Sequence, residues 1–444
     1  MRDASWNPFA GAPLPLVILF WIAFVLAIAS LISITTLIIA GRRTRHGRPS
    51  GAATESDFLW VFLVPALNEA VTIADSVGRL RQVQATNRLI YVINDGSDDA
   101  TGEILESLRG DDVAVLTRRA PDARLGKAAA LNDAIGHLTR LLEDDPALAR
   151  WTPDRVVVAI VDADGRLDPA APLVLAPHFS ERLMGGVQVR VEIYNRGGYL
   201  TWAQQTEFAS FGLIFQAGRA AWGTANMGGN GQFNRLSALL SIVEGPGPWR
   251  DRLTEDQDLG VRLIQKGWKG AQQNGTRVEQ QGVSAVRRLY RQRTRWAQGT
   301  LQSLPLLRGV GAVRGRIARA DAVFYLLTPI FQMIVGLDVL LTLILGIVFG
   351  VPLIPTAVVF ILASIVLGFG PGFASLVLTR RGIRGVLWAL VAVVPYTAYS
   401  WLIYPTLYSA AFRQLTRRTG WAKTAREPLA AGATSAAGTE AAPG

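Results

Sequence analysis

Two aspartates separated by a single residue stand where a divalent cation and a phosphate could be held. Asp162 and Asp164 flank Ala163 directly after the apolar run 156–161, so both carboxylates can reach a common point where that run ends. Carboxylate oxygens are preferred ligands of Mg²⁺, and a divalent ion offsets the charge of a diphosphate leaving group. Such a triplet also arises by chance, and alone it is more often a solvated loop.

A second pair of acids could accept a proton from an attacking hydroxyl group. Glu255 and Asp256 follow Thr254 and precede the helical pattern 257–266. A carboxylate in this position is suited to general-base catalysis. The alternative is a plain helix start, because Thr is a preferred N-cap and acidic side chains are favoured near the positive end of the helix dipole.

A third group of residues could bind a charged leaving group and a sugar ring. Gln292, Arg295 and Trp296 lie three and four residues apart, so they share one face of a helix. An arginine can neutralise a pyrophosphate, and a tryptophan can stack on the apolar face of a sugar. The alternative is an arginine-rich amphipathic helix at a membrane surface.

Alternating strands and helices must position these groups. Apolar runs at 58–65, 89–93, 113–116 and 156–161 predict buried parallel strands, and helical patterns lie at 69–82, 100–108 and 127–142. Polar loops follow three strand ends, at 66–69, 94–99 and 162–165. This βαβ order predicts an α/β doubly wound sheet with the ligand site at the carboxyl ends of its strands.

The apolar residues are concentrated in two blocks, at 14–40 and 322–412, although 50% of the whole chain is hydrophobic. Each block contains runs longer than the roughly 20 residues that cross a bilayer. Arginine clusters flank both blocks, so the charge bias places the intervening domain in the cytoplasm. The expected organisation is an extracytoplasmic N-terminus (1–13), a membrane anchor (14–40), a basic linker (41–56), a cytoplasmic catalytic domain (57–286), amphipathic interfacial helices (287–320), a membrane region (321–412), a basic cytoplasmic tail (413–429) and a disordered end (430–444).

The last part of the membrane region allows two topologies. Segments 322–350 and 354–379 each suffice for one span, while 386–412 has basic residues on both sides. A single crossing of 386–412 would place the tail outside the cell. A re-entrant segment, or one kinked at Pro395 or Pro405, would keep the tail in the cytoplasm, and we favour that topology.

Composition and charge exclude several classes of protein. The net charge of +11 comes with arginines beside the apolar blocks and without a basic, aromatic stripe in the central domain, so no nucleic-acid partner is expected. The chain has no cysteine and three scattered histidines, which excludes disulfides, thiolate nucleophiles and the usual zinc sites.

The order Asn-Asp-Gly-Ser, Asp-x-Asp, Thr-Glu-Asp and Gln-x-x-Arg-Trp resembles family 2 glycosyltransferases, in particular the membrane-bound cellulose, chitin, hyaluronan and poly-N-acetylglucosamine synthases. The resemblance covers roughly 59–299, and it implies a GT-A type mixed sheet with flanking helices. The sequence departs from it at Asn94, where many relatives have a second aspartate.

The resemblance also implies a role for each matched residue. Glu69 and Asp95 would contact the uridine of a UDP-sugar, and Lys127 would lie near it. Asp162 and Asp164 would bind the nucleotide and an Mg²⁺ or Mn²⁺ ion. Asp256 would be the base within Thr254-Glu255-Asp256. Acceptor and pyrophosphate would meet residues from the glycine-rich loop 228–235 and the later helix: Gly231, Gln232, Arg235, Gln292, Arg295 and Trp296.

Two products are compatible with these motifs. The first is a β-linked polysaccharide that is extended and moved across the plasma membrane, which the complete Gln-x-x-Arg-Trp motif favours. The alternative is a glycolipid made by transfer to a lipid such as diacylglycerol, which the small membrane region favours. In either case the partners are a nucleotide sugar, a glycan or lipid acceptor, and membrane lipids.

A tail segment with Trp421, Lys423, Thr424 and Arg426 resembles gating segments of related synthases and could close over the donor. The alternative is that these residues only flank the last apolar segment at the membrane surface.

Overall fold

An eight-stranded mixed sheet forms the centre of the catalytic domain in the computed structural model, which describes residues 14–45, 47, 51–349, 358–380 and 382–418. The strands are β1 (Leu59–Ala66), β2 (Arg88–Asn94), β3 (Val113–Thr117), β4 (Val156–Ile160), β5 (Arg166–Leu167), β6 (Met184–Ile193), β7 (Gln232–Arg235) and β8 (Lys269–Gln280). Their order is β3-β2-β1-β4-β7-β6-β8-β5.

The first half of the sheet is parallel and follows the apolar runs of the sequence. β1 pairs in parallel with both β2 and β4, and β2 pairs in parallel with β3. Alternate residues of β1 enter different cores, because successive side chains of a strand point to opposite faces. Phe62 joins one apolar cluster and Leu63 the other. The carboxyl ends of β1, β2 and β4 therefore lie side by side.

The second half of the sheet reverses direction. β7 is antiparallel to β4 and β6, and β8 pairs in parallel with β6. The expected α/β mixed sheet with flanking helices is confirmed. Because β7 runs against β4, its first residue lies at the carboxyl end of β4 and its last residue at the opposite edge of the sheet.

Helices flank the sheet and continue into the membrane region. Those of the central domain are α2 (Ile73–Leu80), α3 (Thr101–Leu108), α4 (Lys127–Asp144), α5 (Ala171–Leu175), α6 (Tyr199–Ser210), α7 (Ala217–Ala220), α8 (Leu236–Leu240) and α9 (Glu255–Gln265), and α1 (Leu14–Ala40) precedes them. They are followed by α10 (Val286–Gln302), which lies in the segment expected to be interfacial. The membrane region contains α11 (Arg316–Phe349), α12 (Val358–Thr379), α13 (Gly382–Ser400) and α14 (Ile403–Leu415). A π-helical turn at Phe211–Gln216 joins α6 to α7. Among the described residues, three stretches are long and apolar enough to cross a membrane, at Leu14–Ala40, Arg316–Leu341 and Gly382–Leu415.

The end of the anchor α1 is bound to the catalytic domain, unlike the basic linker expected at 41–56. Arg45 is buried, and its Nε donates a hydrogen bond to the Leu213 carbonyl at 2.7 Å. Gly218 of α7 packs so closely on Leu37 that an added Cβ would lie 2.7 Å from the Leu37 backbone. Arg45 therefore packs against the domain and provides a hydrogen-bond donor for a backbone carbonyl. The charge pattern alone could not distinguish this role from that of an arginine exposed to solvent beside the membrane.

The helices of the membrane region differ from two expected boundaries. Interfacial helices were expected to reach position 320, but α11 already begins at Arg316, after a 3₁₀ segment at Leu304–Ala312. The apolar segment 386–412 is not one helix: α13 ends at Ser400 and α14 begins at Ile403. The interruption lies between Pro395 and Pro405 and at neither of them. A helix can accommodate a proline where neighbouring helices cover the carbonyl that has lost its hydrogen bond.

Candidate functional site

Acidic side chains from three parallel strands meet at the carboxyl edge of the sheet. Glu69 follows β1, Asp95 follows β2, and Asp162 and Asp164 follow β4. Asp95 and Asp164 are 5% and 4% exposed, so both are buried carboxylates. The structure thus brings together the residues expected to bind a donor nucleotide.

Arg118 holds the Asp95 carboxylate, and sequence reasoning missed it. Its guanidinium forms a buried ion pair with Asp95 and a second one with Asp133 at 2.8 Å. The Asp95 carboxylate also accepts a hydrogen bond from the Arg124 backbone N–H at 3.0 Å. Arg118 directly follows β3, so its place at a strand end was the available signal.

Lys127 lies between the two acidic groups that were expected to do different chemistry. It is the first residue of α4, and its Nζ is 2.7 Å from Asp162 Oδ1 and 3.9 Å from Glu255 Oε1. Burial disfavours the ammonium, but the charges of Asp162 and Glu255 prevail and raise the pKa of Lys127 above its ordinary value. The side chain was expected at the uridine; here it joins the Asp-x-Asp triplet to the start of α9.

The Asp-x-Asp triplet is also tied to the glycine-rich loop. The Asp162 backbone N–H donates to Asn230 Oδ1 at 3.1 Å, and Asp164 Oδ2 accepts from the Gln281 backbone N–H at 3.1 Å. Asn230 lies in the loop before β7, and Gln281 directly follows β8. Asp162 and Asp164 are therefore held by the loop before β7 and by the residue that follows β8.

Glu255 and Asp256 occupy the first turn of α9, as the pattern predicted. Asp256 Oδ1 accepts a hydrogen bond from the Gln257 backbone N–H at 2.8 Å. Burial raises the pKa of Asp256, and burial also raises the pKa of Glu255 to about 7 against the opposing charge of Lys127. Thr254 is the N-cap residue, but its side chain forms no capping hydrogen bond. The segment is thus a helix start, and this position is compatible with the expected role of Asp256 as a base.

Gly229 gives the Asp256 carboxylate room to face the loop. It has φ +81°, a left-handed conformation that favours glycine, and a Cβ added there would lie 2.9 Å from Asp256 Oδ2. Gly231, with φ +73°, would instead contact Val189 and Val278. Within the expected loop, Gly229 is thus the glycine that approaches the acid.

Helix α10 packs its later turns against the start of α9. A Cβ on Gly299 would lie 2.5 Å from Thr254 Oγ1, and Thr300 Oγ1 donates to Gln257 Oε1 at 3.2 Å. Burial is the main influence on the pKa of Glu255, and the positive charge of Arg295 in the Gln-x-x-Arg-Trp motif is one of the weaker opposing ones.

Trp296 and Gln292 lie beside an arginine that sequence reasoning missed. The Arg293 guanidinium is 4.1 Å from the Trp296 ring centroid, and its Nη1 donates to Gln292 Oε1 at 3.1 Å. Arg293 also pairs with Glu207 of α6 at 2.6 Å. The Trp296 ring makes an edge contact with Phe208, 6.2 Å between centroids. The motif thus borders α6 on one side and α9 on the other.

One expected acceptor residue, Arg235, does not reach this cluster. Arg235, the last residue of β7, is at the opposite edge of the sheet, where its guanidinium donates to the carbonyls of Met184, Phe179 and Glu181. Gln232 is 1% exposed within β7. The family resemblance of the loop 228–235 implied a role for both; β7 carries Arg235 away from the site, while Gln232 stays at the end of β7 that lies beside the carboxyl end of β4. Trp421, Lys423, Thr424 and Arg426 lie outside the described residues.

The carboxylates suit a divalent ion that is shared with a phosphate ligand. In the part of the chain that the structure describes, no three His, Cys, Asp or Glu side chains form a metal cluster. Mg²⁺ is usually held by one or two carboxylates together with substrate phosphates and water, so Asp162 and Asp164 are a sufficient protein contribution. Both donors are hard oxygens, which suits Mg²⁺ or Mn²⁺.

Comparison with known proteins identifies the family. The model of the family described as "Glycosyl transferase family group 2" matches residues 157–413, more than half of the chain, and that of "Glycosyl transferase family 2" matches 61–239. The chain is 30% identical over 285 residues to a beta-monoglucosyldiacylglycerol synthase of Trichormus variabilis, covering 63% of this chain and 56% of that protein. It is 26% identical over 241 residues to a poly-beta-1,6-N-acetyl-D-glucosamine synthase of Staphylococcus aureus, covering 54% and 53%.

The chain therefore spans about half the length of the curated relatives it matches. Among solved structures, a mannosyltransferase from Pyrobaculum calidifontis in complex with GDP-Man and Mn²⁺ has a TM-score of 0.57 and 14% identity, covering 90% of this chain and 99% of that one. This likeness shows a shared GT-A fold. Together with the family matches and the acidic edge of the sheet, it establishes that the chain belongs to the family 2 glycosyltransferases.

Proposed function

We propose that this chain transfers a sugar from a nucleotide sugar, expected to be a UDP-sugar, to an acceptor hydroxyl with inversion at the anomeric carbon. The observation that supports this best is the position of Lys127, 2.7 Å from Asp162 and 3.9 Å from Glu255. Through this one ammonium, the acids suited to the donor diphosphate and those suited to the acceptor hydroxyl form a single cluster.

The donor side consists of the buried carboxylates at the ends of β1, β2 and β4. Glu69 and Asp95 contact the nucleoside in this proposal, and Arg118 orients Asp95 through their ion pair. Asp162 and Asp164 hold an Mg²⁺ or Mn²⁺ ion against the diphosphate. When bound, the ion offsets the negative charge that develops on the leaving group.

The acceptor side consists of the start of α9 and one face of α10. Asp256 takes the proton of the attacking hydroxyl, and its raised pKa makes the carboxylate a better proton acceptor than an exposed aspartate. Arg295 would offset negative charge on the departing diphosphate. Trp296 offers an aromatic face to the acceptor, and Gln292 offers an amide.

The acceptor itself comes from the membrane in both product classes. Greater identity and coverage with the beta-monoglucosyldiacylglycerol synthase favours a lipid hydroxyl such as that of diacylglycerol. The complete Gln-x-x-Arg-Trp motif favours extension of a β-linked polysaccharide. We propose a multi-pass protein of the plasma membrane with this site on the cytoplasmic face, consistent with the candidate spans on both sides of the catalytic domain.

The test is an incubation of the purified protein in diacylglycerol-containing vesicles with Mn²⁺ and radiolabelled UDP-glucose or UDP-N-acetylglucosamine. Label that moves into the organic phase as a species of one or a few sugars identifies a glycolipid synthase. Label in a large product that a glycanase digests identifies a polysaccharide synthase. Absence of transfer from any nucleotide sugar, with the protein folded, would reject the proposed function.

A further inference from the structure

A buried ion pair joins the catalytic domain to the membrane helix α11. Arg219 of α7 and Asp321 of α11 are paired through Nε and Oδ2 at 2.8 Å, and each side chain is 7% exposed. Buried charges are costly unless they are paired with good geometry, and here a second contact of 3.3 Å completes the pair. The first turns of α11 are therefore fixed to the domain and not merely adjacent to it.

Tyr325 lies one turn after Asp321 and is held from two sides. The Arg219 guanidinium is 4.3 Å from the Tyr325 ring centroid, a cation–π contact. The Tyr325 hydroxyl accepts a hydrogen bond from Asn226 Nδ2 at 3.1 Å. Tyr325 thus stands between the ion pair and Asn226.

Asn226 connects Tyr325 to the segment that carries the acids. Its Nδ2 is 3.4 Å from the Gln257 carbonyl, and a Cβ added to Gly260 would lie only 1.7 Å from its Oδ1. Asn226 is thus wedged against the first turns of α9. It is also three residues before Gly229, the residue that faces Asp256. The Asn226 side chain therefore contacts α9 beside Asp256, and its backbone continues into the loop that carries Gly229.

We propose that Tyr325 is a positioning residue for Asp256, acting through Asn226 from the membrane helix α11. This inference rests on the proposed function, because it requires Asp256 to be the base. Proton transfer needs the acid within hydrogen-bond reach of the acceptor hydroxyl, and misplacement by about 1 Å can cost roughly 10²-fold in rate. The Tyr325 hydroxyl fixes the Asn226 amide, and the amide fixes the turn that presents Asp256.

A purely structural role for the same tyrosine makes a different prediction. If Tyr325 only secured α11 to the catalytic domain, losing its hydroxyl would lower thermal stability and the amount of active protein, without changing how the remaining protein works. A positioning role lowers kcat, and it leaves the KM and affinity for the donor unchanged, because the donor carboxylates are held by contacts to β7, β8 and Arg118.

The experiment compares Tyr325→Phe with Tyr408→Phe in the full-length protein, purified and returned to vesicles. The Tyr408 hydroxyl donates to the Met333 carbonyl of α11, at a point on that helix farther from the catalytic domain than Tyr325. The control therefore also removes a hydroxyl that is bonded to α11, but away from the proposed site. We expect kcat to fall about tenfold in Tyr325→Phe, with donor KM and calorimetric UDP affinity in Mn²⁺ within about twofold of wild type. Tyr408→Phe should keep the wild-type kcat.

A double-mutant cycle tests the path through Asn226. If the effect passes through this residue, Tyr325→Phe should lower kcat no further in an Asn226→Ala background. Fold losses that multiply, or a wild-type kcat in Tyr325→Phe, would overturn the inference. Asp256→Asn in the same assay separates the two proposals. If that variant stays active, the assignment of the base is wrong; if it is inactive while Tyr325→Phe is fully active, only the role of Tyr325 is wrong.

Discussion

At the scale of single residues, Asp256 is distinguished from the other acids by what surrounds it. Its carboxylate meets a backbone N–H of its own helix and the open space left by Gly229, whereas Asp162 is paired with Lys127 and Asp164 is bound by a backbone N–H. A base needs access to the acceptor, and a nucleotide-binding acid needs a fixed position. The environments of the three aspartates agree with that division of roles.

Asp256→Asn is accordingly expected to abolish transfer while donor binding remains. The amide keeps the shape of the carboxylate but cannot accept the proton, so the rate should fall roughly 10²- to 10⁴-fold. Calorimetry with UDP and Mn²⁺ should give an affinity close to wild type. Asp251→Asn, at an exposed acid five residues earlier, is the matched control and should be fully active. Lost UDP affinity with residual turnover in Asp256→Asn would contradict the assignment.

Glu255 makes stability depend on pH in a predictable direction. Burial raises its pKa from 4.5 to about 7, so the folded state binds this proton more tightly than the unfolded state. The resulting contribution to stability is complete below pH 4.5 and is lost as the pH rises through 7. We therefore expect the melting temperature of the wild type to fall more between pH 5 and pH 8 than that of Glu255→Gln.

The control for this pH effect is Glu103→Gln, at an exposed acid of α3. Its melting temperature should follow the wild type at both pH values. A fall between pH 5 and pH 8 that is the same in Glu255→Gln and wild type would show that another group carries the dependence.

Sequence reasoning predicted the site residues that belong to short local motifs. Asp162, Asp164 and Asp256 could be placed because a strand end or a helix start positions them within a few residues. Arg118, Asn226 and Tyr325 could not be found in this way, since their partners are 23, 31 and 99 residues away along the chain. Contacts of this kind arise from tertiary packing and leave no periodic signal.

At the scale of elements, α10 and α9 approach each other at a glycine. An added methyl group on Gly299 would lie 2.6 Å from Thr254 Cγ2 and 2.7 Å from the Thr254 backbone N, which is closer than atoms can approach without a shift. No sequence pattern indicates this contact, because glycine inside a helical pattern usually only weakens the helix. The close approach sets the distance between the Gln-x-x-Arg-Trp motif and the acids.

Gly299→Ala should separate the two helices although alanine is the better helix former. We expect a destabilisation of about 1–3 kcal/mol, as for an overpacked core, and a loss of most transfer activity. Gly136→Ala in α4 is the matched control, because a Cβ there meets nothing within 4 Å. The control should be active and no less stable than wild type. Equal activity of both variants would refute the tight contact.

The interrupted helix at the end of the membrane region is a second feature that sequence patterns could not predict. Hydropathy predicted an apolar segment at 386–412, but it could not choose between one crossing and a return. In the structure, Tyr396 of α13 packs on Gly372 of α12, and Trp388 lies near Arg380, so α13 runs antiparallel to α12. The direction of α14 then depends on its contacts with α11.

At the scale of the whole molecule, α14 runs back along α11 towards the catalytic domain. Tyr404 packs on Gly336, and the later Tyr408 bonds to the earlier Met333, so the two helices are antiparallel. At the end of α14, Gln298 of α10 bonds to the Arg418 carbonyl at 3.0 Å. Arg418 therefore contacts α10 and lies on the same side of the membrane region as the proposed active site.

This position of Arg418 supports the proposal of a cytoplasmic tail over a single crossing of 386–412. Gln298 is one turn from Arg295, so Arg418 lies beside the helix that carries the Gln-x-x-Arg-Trp motif. Closure over a bound sugar diphosphate by Trp421, Lys423, Thr424 and Arg426 stays a prediction, because these residues lie outside the described part of the chain. Excluding water above the site would strengthen the charge contacts beneath it.

We therefore expect deletion from Gly420 onward to lower activity roughly tenfold or more, because closure would be lost, whereas deletion from Ala430 onward should have little effect. Labelling tests the sidedness directly, since the natural chain has no cysteine. A single cysteine at Asn7, expected outside, should react with a membrane-impermeant maleimide in intact cells. A single cysteine at Thr424 should react only after the cells are opened. Labelling at Thr424 in intact cells would place the tail outside and exclude its role in closing the site.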